Sequence, residues 1–140
     1  LAESEIEGVS RLLQLPDTGL IGVGDFYYSA TTTEPDVLRY MSEIISALRP
    51  RSNGMERLAG VGFFAGTMFW ARMDAISDLL DIDPRVFPRE MGRVDGTPAH
   101  ALERLFGVLP ALDGRSNYVL TEAGLRRGSK ATLAVPYWSR

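Results

Sequence analysis

The chain has 140 residues, of which 45% are hydrophobic and 24% charged, and its formal net charge is −3. This composition is typical of a globular protein and excludes a disordered segment. The acidic balance argues against a general nucleic-acid binder, and a sequence without cysteine and with one histidine, His100, excludes disulfides and multi-histidine zinc sites.

The length fits one domain, or a piece of a longer protein. We expect residues 1–140 to be a single domain or fragment, because the chain begins with Leu1 rather than methionine. The sequence contains no run of roughly 18 apolar residues that could cross a bilayer. The acidic N-terminus does not resemble a signal peptide, so a cytoplasmic location is expected.

The first half of the chain alternates between predicted helices and strands. Helical spacing of apolar residues predicts a helix over residues 4–13 and a second helix from about residue 35 to 48. Between them, residues 20–24 (LIGVG) are typical of a buried strand whose glycines admit a close neighbour. Residues 25–33 are expected to form a loop, whose aromatic side chains either cover a core edge or form a platform for a sugar.

The densest apolar segment runs from residue 58 to residue 71. It predicts a buried strand from about Gly62, with Gly66 as a bend or a point of close approach. Gly66-Thr67 is a poor local choice for mid-strand, and such violations tend to mark functional sites. A helix is predicted over residues 73–80, before Asp81-Ile82-Asp83, whose spacing is a weak match to a divalent-metal motif and more typical of a helix end.

Residues 95–106 (DGTPAHALERLF) combine two acids, an imidazole and a guanidinium at the start of a predicted helix. Thr97 suits the N-cap and Pro98 the first helical position. Asp95 precedes the helix, where its positive end favours an ionised carboxylate. Such a group can act as a general base on a sugar hydroxyl, while the alternative is a capping turn before an ordinary amphipathic helix. Beyond Pro110 we expect irregular chain with short strands at residues 118–120 and 132–135.

Three segments in this order carry a resemblance to a known family: residues 64–72 (FAGTMFWAR), 87–90 (FPRE) and 95–106. Together they resemble the rhamnan synthesis protein F family, glycosyltransferase-like proteins of bacterial cell-surface polysaccharide assembly. Residues 18–24 (TGLIGVG) are similar to the preceding strand of that family. The resemblance implies an α/β fold with a mixed sheet flanked by helices, similar to the second, acceptor-side half of a two-part nucleotide-sugar glycosyltransferase fold.

The resemblance also implies roles for individual residues. Asp95 is the candidate catalytic base, with Glu90 second. The candidate substrate-binding residues lie on the strand and the helix of the motifs; they are Gly66, Thr67, Trp70, His100 and Arg104. His100 is expected to reach the diphosphate or a bound ion, and Arg104 to neutralise charge on the leaving group.

The implied reaction transfers a sugar, with rhamnose as one candidate, from a nucleotide-activated donor to a growing surface polysaccharide. The partners are therefore a nucleotide sugar and a glycan acceptor, without nucleic acid, and Mg²⁺ or Mn²⁺ is a candidate cofactor whose ligands the sequence does not define. Peripheral association with the inner face of the membrane fits this role, and the oligomeric state is undefined. The chain lacks a recognisable donor-binding half, so the alternative is a non-catalytic carbohydrate-binding or assembly module of a polysaccharide-synthesis protein.

Overall fold

The computed structural model describes residues 2–51, 54–87, 89 and 96–135. Within these residues the chain has mixed α/β structure, and the predicted mixed sheet flanked by helices is confirmed. The helices are α1 (Glu3–Gln14), α2 (Pro35–Leu48), α3 (Met73–Ile76) and α4 (Pro98–Leu112). The strands are β1 (Thr18–Val23), β2 (Tyr27–Ser29), β3 (Gly62–Phe64), β4 (Phe69–Ala71), β5 (Ser116–Thr121) and β6 (Gly124–Arg127).

The main sheet has the strand order β4-β1-β5-β6. Strand β1 is parallel to β5 and antiparallel to β4, and β5 is antiparallel to β6. A second sheet consists of β2 and β3, which are antiparallel. Helix α4 packs against β1, β3, β5 and α2, while α1 packs against β1 and β6.

The apolar pattern of the two long helices accounts for the core. Val37, Met41, Ile44 and Ile45 of α2 are buried against the buried apolar face of α4, as their helical spacing predicts. A second cluster fills the space between the main sheet and β2–β3, where the Tyr27 and Phe64 rings lie 4.8 Å apart between centroids.

The structure corrects several expected elements. The expected loop at residues 25–33 contains β2, in which Tyr27 and Tyr28 are 2% and 6% exposed, so neither ring is available as a platform for a sugar. The strand expected at residues 132–135 is absent from the described residues there, and Lys130–Thr132 form a 3₁₀ turn instead. Helix α4 extends past Pro110 to Leu112, because a proline in the last turn costs only one backbone hydrogen bond.

Gly66 bends the chain, as its position in the apolar segment predicts. The bend divides the expected single strand into β3 and β4, which belong to different sheets. Gly66 has φ 76° and Thr67 has φ 54°, both in the left-handed region. A β-carbon built at Gly66 would meet only the end of Met68 at 3.8 Å, so backbone conformation, rather than space, makes glycine suitable there.

Candidate functional site

The Gly66-Thr67 bend lies at the end of the main sheet where the parallel strands terminate. Phe69 pairs with Gly22 in antiparallel register, so the residues before Phe69 extend beyond the carboxyl end of β1. Val23 pairs with Leu120, which places the end of β5 beside the end of β1. In open α/β sheets this edge is where ligands usually bind.

Helix α4 brings the 95–106 motif to the same edge. The Gly66 amide donates a hydrogen bond of 2.6 Å to Oε1 of Glu103. One turn further along the helix, the Phe106 ring lies 5.2 Å from the Phe69 ring between centroids. Two of the three sequence motifs are therefore in direct contact, although residues 66 and 103 are 37 positions apart.

Helix α4 begins where the sequence predicts, but the hydroxyl of its N-cap residue makes a different contact from the one expected. Thr97 occupies the N-cap in an extended conformation and Pro98 follows it in the first turn. The Thr97 hydroxyl does not cap the helix and instead lies 2.7 Å from Nδ1 of His100. This contact orients the imidazole, which is half-buried, at the entrance of the helix.

Arg104 lies beneath this surface. Its side chain is 4% exposed, and its guanidinium carbon lies 4.7 Å from the centre of the Phe63 ring. One of its terminal nitrogens donates a hydrogen bond of 2.8 Å to the His100 carbonyl oxygen and lies 3.8 Å from Oε2 of Glu103. Arg104 therefore contacts the His100 backbone and the Glu103 carboxylate from the buried side of the helix entrance.

Trp70 lies on the other face of the sheet. Side chains alternate along a strand, and its neighbour Phe69 packs towards α4. Trp70 is opposite Ile21 in the register and is 39% exposed, beside exposed Met68 at the edge of the sheet. The structure thus brings Gly66, Thr67, His100 and Arg104 together, and it leaves Trp70 outside that cluster.

Asp95 and Glu90, the two predicted catalytic residues, lie outside the described residues. The described part of the third motif begins at Gly96, which is buried, has φ 88° and directly precedes Thr97. The assignment of a base to Asp95 or Glu90 stays a prediction.

Sequence reasoning missed two acidic residues at this edge. Glu103 is not among the predicted site residues, yet its carboxylate accepts a hydrogen bond from the bend. Asp25 is exposed in the 3₁₀ turn Gly24–Phe26 that directly follows β1. The signal that could have found Asp25 is its position immediately after a buried strand, and Glu103 lies three residues after His100, on the same side of a helix.

The described residues do not provide a ligand set for a metal ion: no group of three or more histidine, aspartate or glutamate side chains converges among them. Asp83 accepts hydrogen bonds from the backbone and the side chain of Arg85. The Asp83 carboxylate is therefore the N-cap of the short turn Pro84–Val86. Binding of Mg²⁺ or Mn²⁺ stays a prediction.

Comparison with known proteins finds similar segments in two longer proteins that carry the same name. The chain is 34% identical over 128 residues to the uncharacterized protein WxcX of Xanthomonas campestris pv. campestris strain B100, and equally to the protein of the same name from a second strain. The match covers 89% of this chain and 16% of WxcX, so the chain spans about a sixth of the length of the curated relatives it matches. No protein-family description and no solved structure matches the chain. None of the helices in the described ranges has the length and apolar character to cross a membrane.

Proposed function

We propose that this chain is the acceptor-side part of a glycosyltransferase that adds a sugar from a nucleotide-activated donor to a growing cell-surface polysaccharide. The single observation that carries the proposal is the contact between Gly66 and Glu103 at the carboxyl edge of the parallel strands. It joins two motifs of the resemblance to the rhamnan synthesis protein F family in one place. A cytoplasmic location, with peripheral association at the inner face of the membrane, is part of the proposal.

The proposed reaction requires a base at the acceptor and stabilisation of the departing diphosphate. Asp95, with Glu90 as the second candidate, takes the proton from the acceptor hydroxyl. The acceptor oxygen forms the new bond to the sugar, and the bond between the sugar and the diphosphate breaks, leaving the electron pair on the phosphate oxygen. His100 is half-buried and oriented by Thr97, and in this proposal its imidazole is the side chain that meets that phosphate.

Arg104 and Trp70, two of the predicted substrate-binding residues, have different roles in this proposal. Arg104 holds the backbone at the entrance of α4 through the His100 carbonyl oxygen, because its own guanidinium is buried against Phe63. Trp70 binds sugar units of the acceptor on the other face of the sheet edge, where its ring is partly exposed.

The test is sugar transfer by the full-length protein, with Asp95→Asn compared with wild type. Loss of a general base lowers the rate by about 10²–10⁴-fold. The matched control is Asp17→Asn, since Asp17 is exposed in the turn before β1, at the opposite end of that strand. Unchanged turnover in folded Asp95→Asn would remove this residue from the mechanism, and the same result in Glu90→Gln would end the proposal of a base in this region.

The partly exposed Trp70 favours a second candidate, a non-catalytic carbohydrate-binding module. This alternative predicts that a glycan stabilises the protein while a nucleotide diphosphate does not. Melting temperatures measured with each ligand, with and without Mn²⁺, separate the two candidates, because a ligand that binds the folded state raises its stability.

A further inference from the structure

The bend at residues 66 and 67 is an unfavourable backbone conformation. Thr67 has φ 54°, and a β-branched residue in the left-handed region is a genuine outlier. Its hydroxyl donates a hydrogen bond of 2.8 Å to the Gly66 carbonyl oxygen, which is a contact within the bend itself. Gly66, Thr67 and Met68 are all exposed, so packing around them does not hold this shape.

A side chain of α4 holds the bend in this conformation. Oε1 of Glu103 accepts the Gly66 amide at 2.6 Å, and a hydrogen bond to a carboxylate is stronger than one between neutral groups. Oε2 lies 3.8 Å from the guanidinium of Arg104, which is itself held by the His100 carbonyl oxygen and the Phe63 ring. Oε1 of Glu103 is thus hydrogen-bonded to the bend, and Oε2 lies within ion-pair distance of Arg104.

We propose that Glu103 is a positioning residue, whose carboxylate holds the Gly66-Thr67 bend against α4 and so aligns the two motif segments of the site. The inference rests on the proposed function for its catalytic consequence. Glu103 does not contact the reacting atoms; it acts through the Gly66 amide and the left-handed Thr67. Without it, the bend relaxes to an ordinary conformation and Thr67 moves away from the helix entrance.

The experiment compares Glu103→Ala and Glu103→Gln in the full-length protein, with Glu7→Ala as the control for loss of an exposed helical carboxylate. Glutamine keeps an oxygen at the same reach, so Glu103→Gln should retain the bend. We expect Glu103→Ala to speed deuterium exchange of the segment 64–69 about tenfold. Its kcat for transfer should fall on the order of 10²-fold with a smaller change in KM, since small misplacements have effects of this size. Glu103→Gln should stay within about threefold of wild type in both measurements, as a retained acceptor implies.

Each alternative result has a defined meaning. Unchanged exchange in Glu103→Ala overturns the inference. A Glu103→Gln variant that loses activity while retaining protection also overturns it, because the charge would then act on the substrate.

If Glu103→Ala does not fold, Thr67→Gly supplies the second test. Glycine removes the strain, so Glu103→Asp, whose carboxylate is one methylene short of the Gly66 amide, should perturb the bend less in that background, and equal effects of Glu103→Asp in both backgrounds contradict the role. If the wild type transfers no sugar from any donor, the proposed function fails, whereas the exchange measurements still decide whether Glu103 holds the bend.

Discussion

At the scale of single residues, Asn117 connects three elements of the core. Its Oδ1 accepts the Leu20 amide at 3.0 Å, and its Nδ2 donates to the Gly107 carbonyl oxygen at 2.9 Å. The side chain satisfies a backbone amide at the point where the pairing of β1 with β5 is irregular. Asn117 is 5% exposed, so these groups have no access to bulk water.

We expect Asn117→Leu to lower the free energy of unfolding by about 2–4 kcal/mol, because it leaves the buried Leu20 amide without its partner and removes the hydrogen bond to the Gly107 carbonyl oxygen. Urea denaturation of the purified chain measures this loss. A variant as stable as the wild type would show that the two backbone groups find other partners.

Gly107 is required for a different reason. Gly107 lies on α4, where a β-carbon would clash with the Gly62 carbonyl oxygen and lie 2.9 Å from the Phe63 Cα. Both are backbone atoms of β3, so they cannot relieve the clash by a side-chain rotation. We expect Gly107→Ala to destabilise the fold by about 1–3 kcal/mol, despite the better helix propensity of alanine.

The matched control is Gly8→Ala, since Gly8 is also a helical glycine. Its β-carbon would meet the Leu125 Cδ1 at 2.9 Å, which is the end of a flexible side chain. Gly8→Ala should therefore cost much less, and equal melting temperatures for the two variants would contradict this account of Gly107.

The sequence identified Gly66 and Thr67 as unusual, but it could not identify their partner. Glu103 and Arg104 lie side by side at the edge of an apolar stripe, and helical periodicity treats both as solvated. In the structure the two side chains have different environments. Arg104 covers the Phe63 ring and is 3% exposed, while Glu103 accepts a hydrogen bond from the bend. Contacts of this kind depend on where another element lies, which local pattern does not encode.

At the scale of elements, the long amphipathic helices and the strands β1, β3 and β5 were predictable, whereas β2 was not. Helix α1 was predicted within two residues at each end, because its periodicity extends over several turns. Strand β2 has three residues and pairs with β3, which lies more than 30 residues away in sequence. Its polar and aromatic neighbours indicate a loop, so the strand depends on tertiary pairing rather than on local preference.

An ion-pair network joins the elements at the end of the sheet opposite the candidate site. Asp74 of α3 pairs with Arg72 at 2.9 Å and with Arg115 at 3.2 Å. Arg72 also donates to the Leu13 carbonyl oxygen and Arg115 to that of Pro16. The network therefore ties α3 to the connection between α1 and β1.

The pH dependence of stability should report this network. Hydrogen bonding from Arg72, with a further contribution from Arg115, lowers the pKa of Asp74 from 3.8 to about 2. A lowered pKa in the folded state means that the contribution is complete above about pH 4 and is lost as the pH falls towards 2. We expect the wild type to be more stable than Asp74→Asn at pH 6 and the difference to vanish near pH 2, as measured by urea denaturation. A difference that does not depend on pH would contradict an ionic contribution.

At the scale of the whole molecule, the two ends of the main sheet differ. One end is held by the network of Asp74, Arg72 and Arg115. The other end carries an exposed left-handed bend and the entrance of α4. Strain retained at an exposed position is typical of functional sites, and this bend lies at the edge where open α/β sheets usually bind ligands.

The most direct measurement is deuterium exchange of the full-length protein with and without a nucleotide diphosphate. A site at this edge predicts slower exchange with ligand in residues 64–69 and 96–104, and unchanged exchange in residues 72–76 and 113–117 at the opposite end. Slower exchange at the opposite end alone, or none in either segment at saturating nucleotide diphosphate, would contradict a nucleotide-sugar site formed by the Gly66 bend and α4.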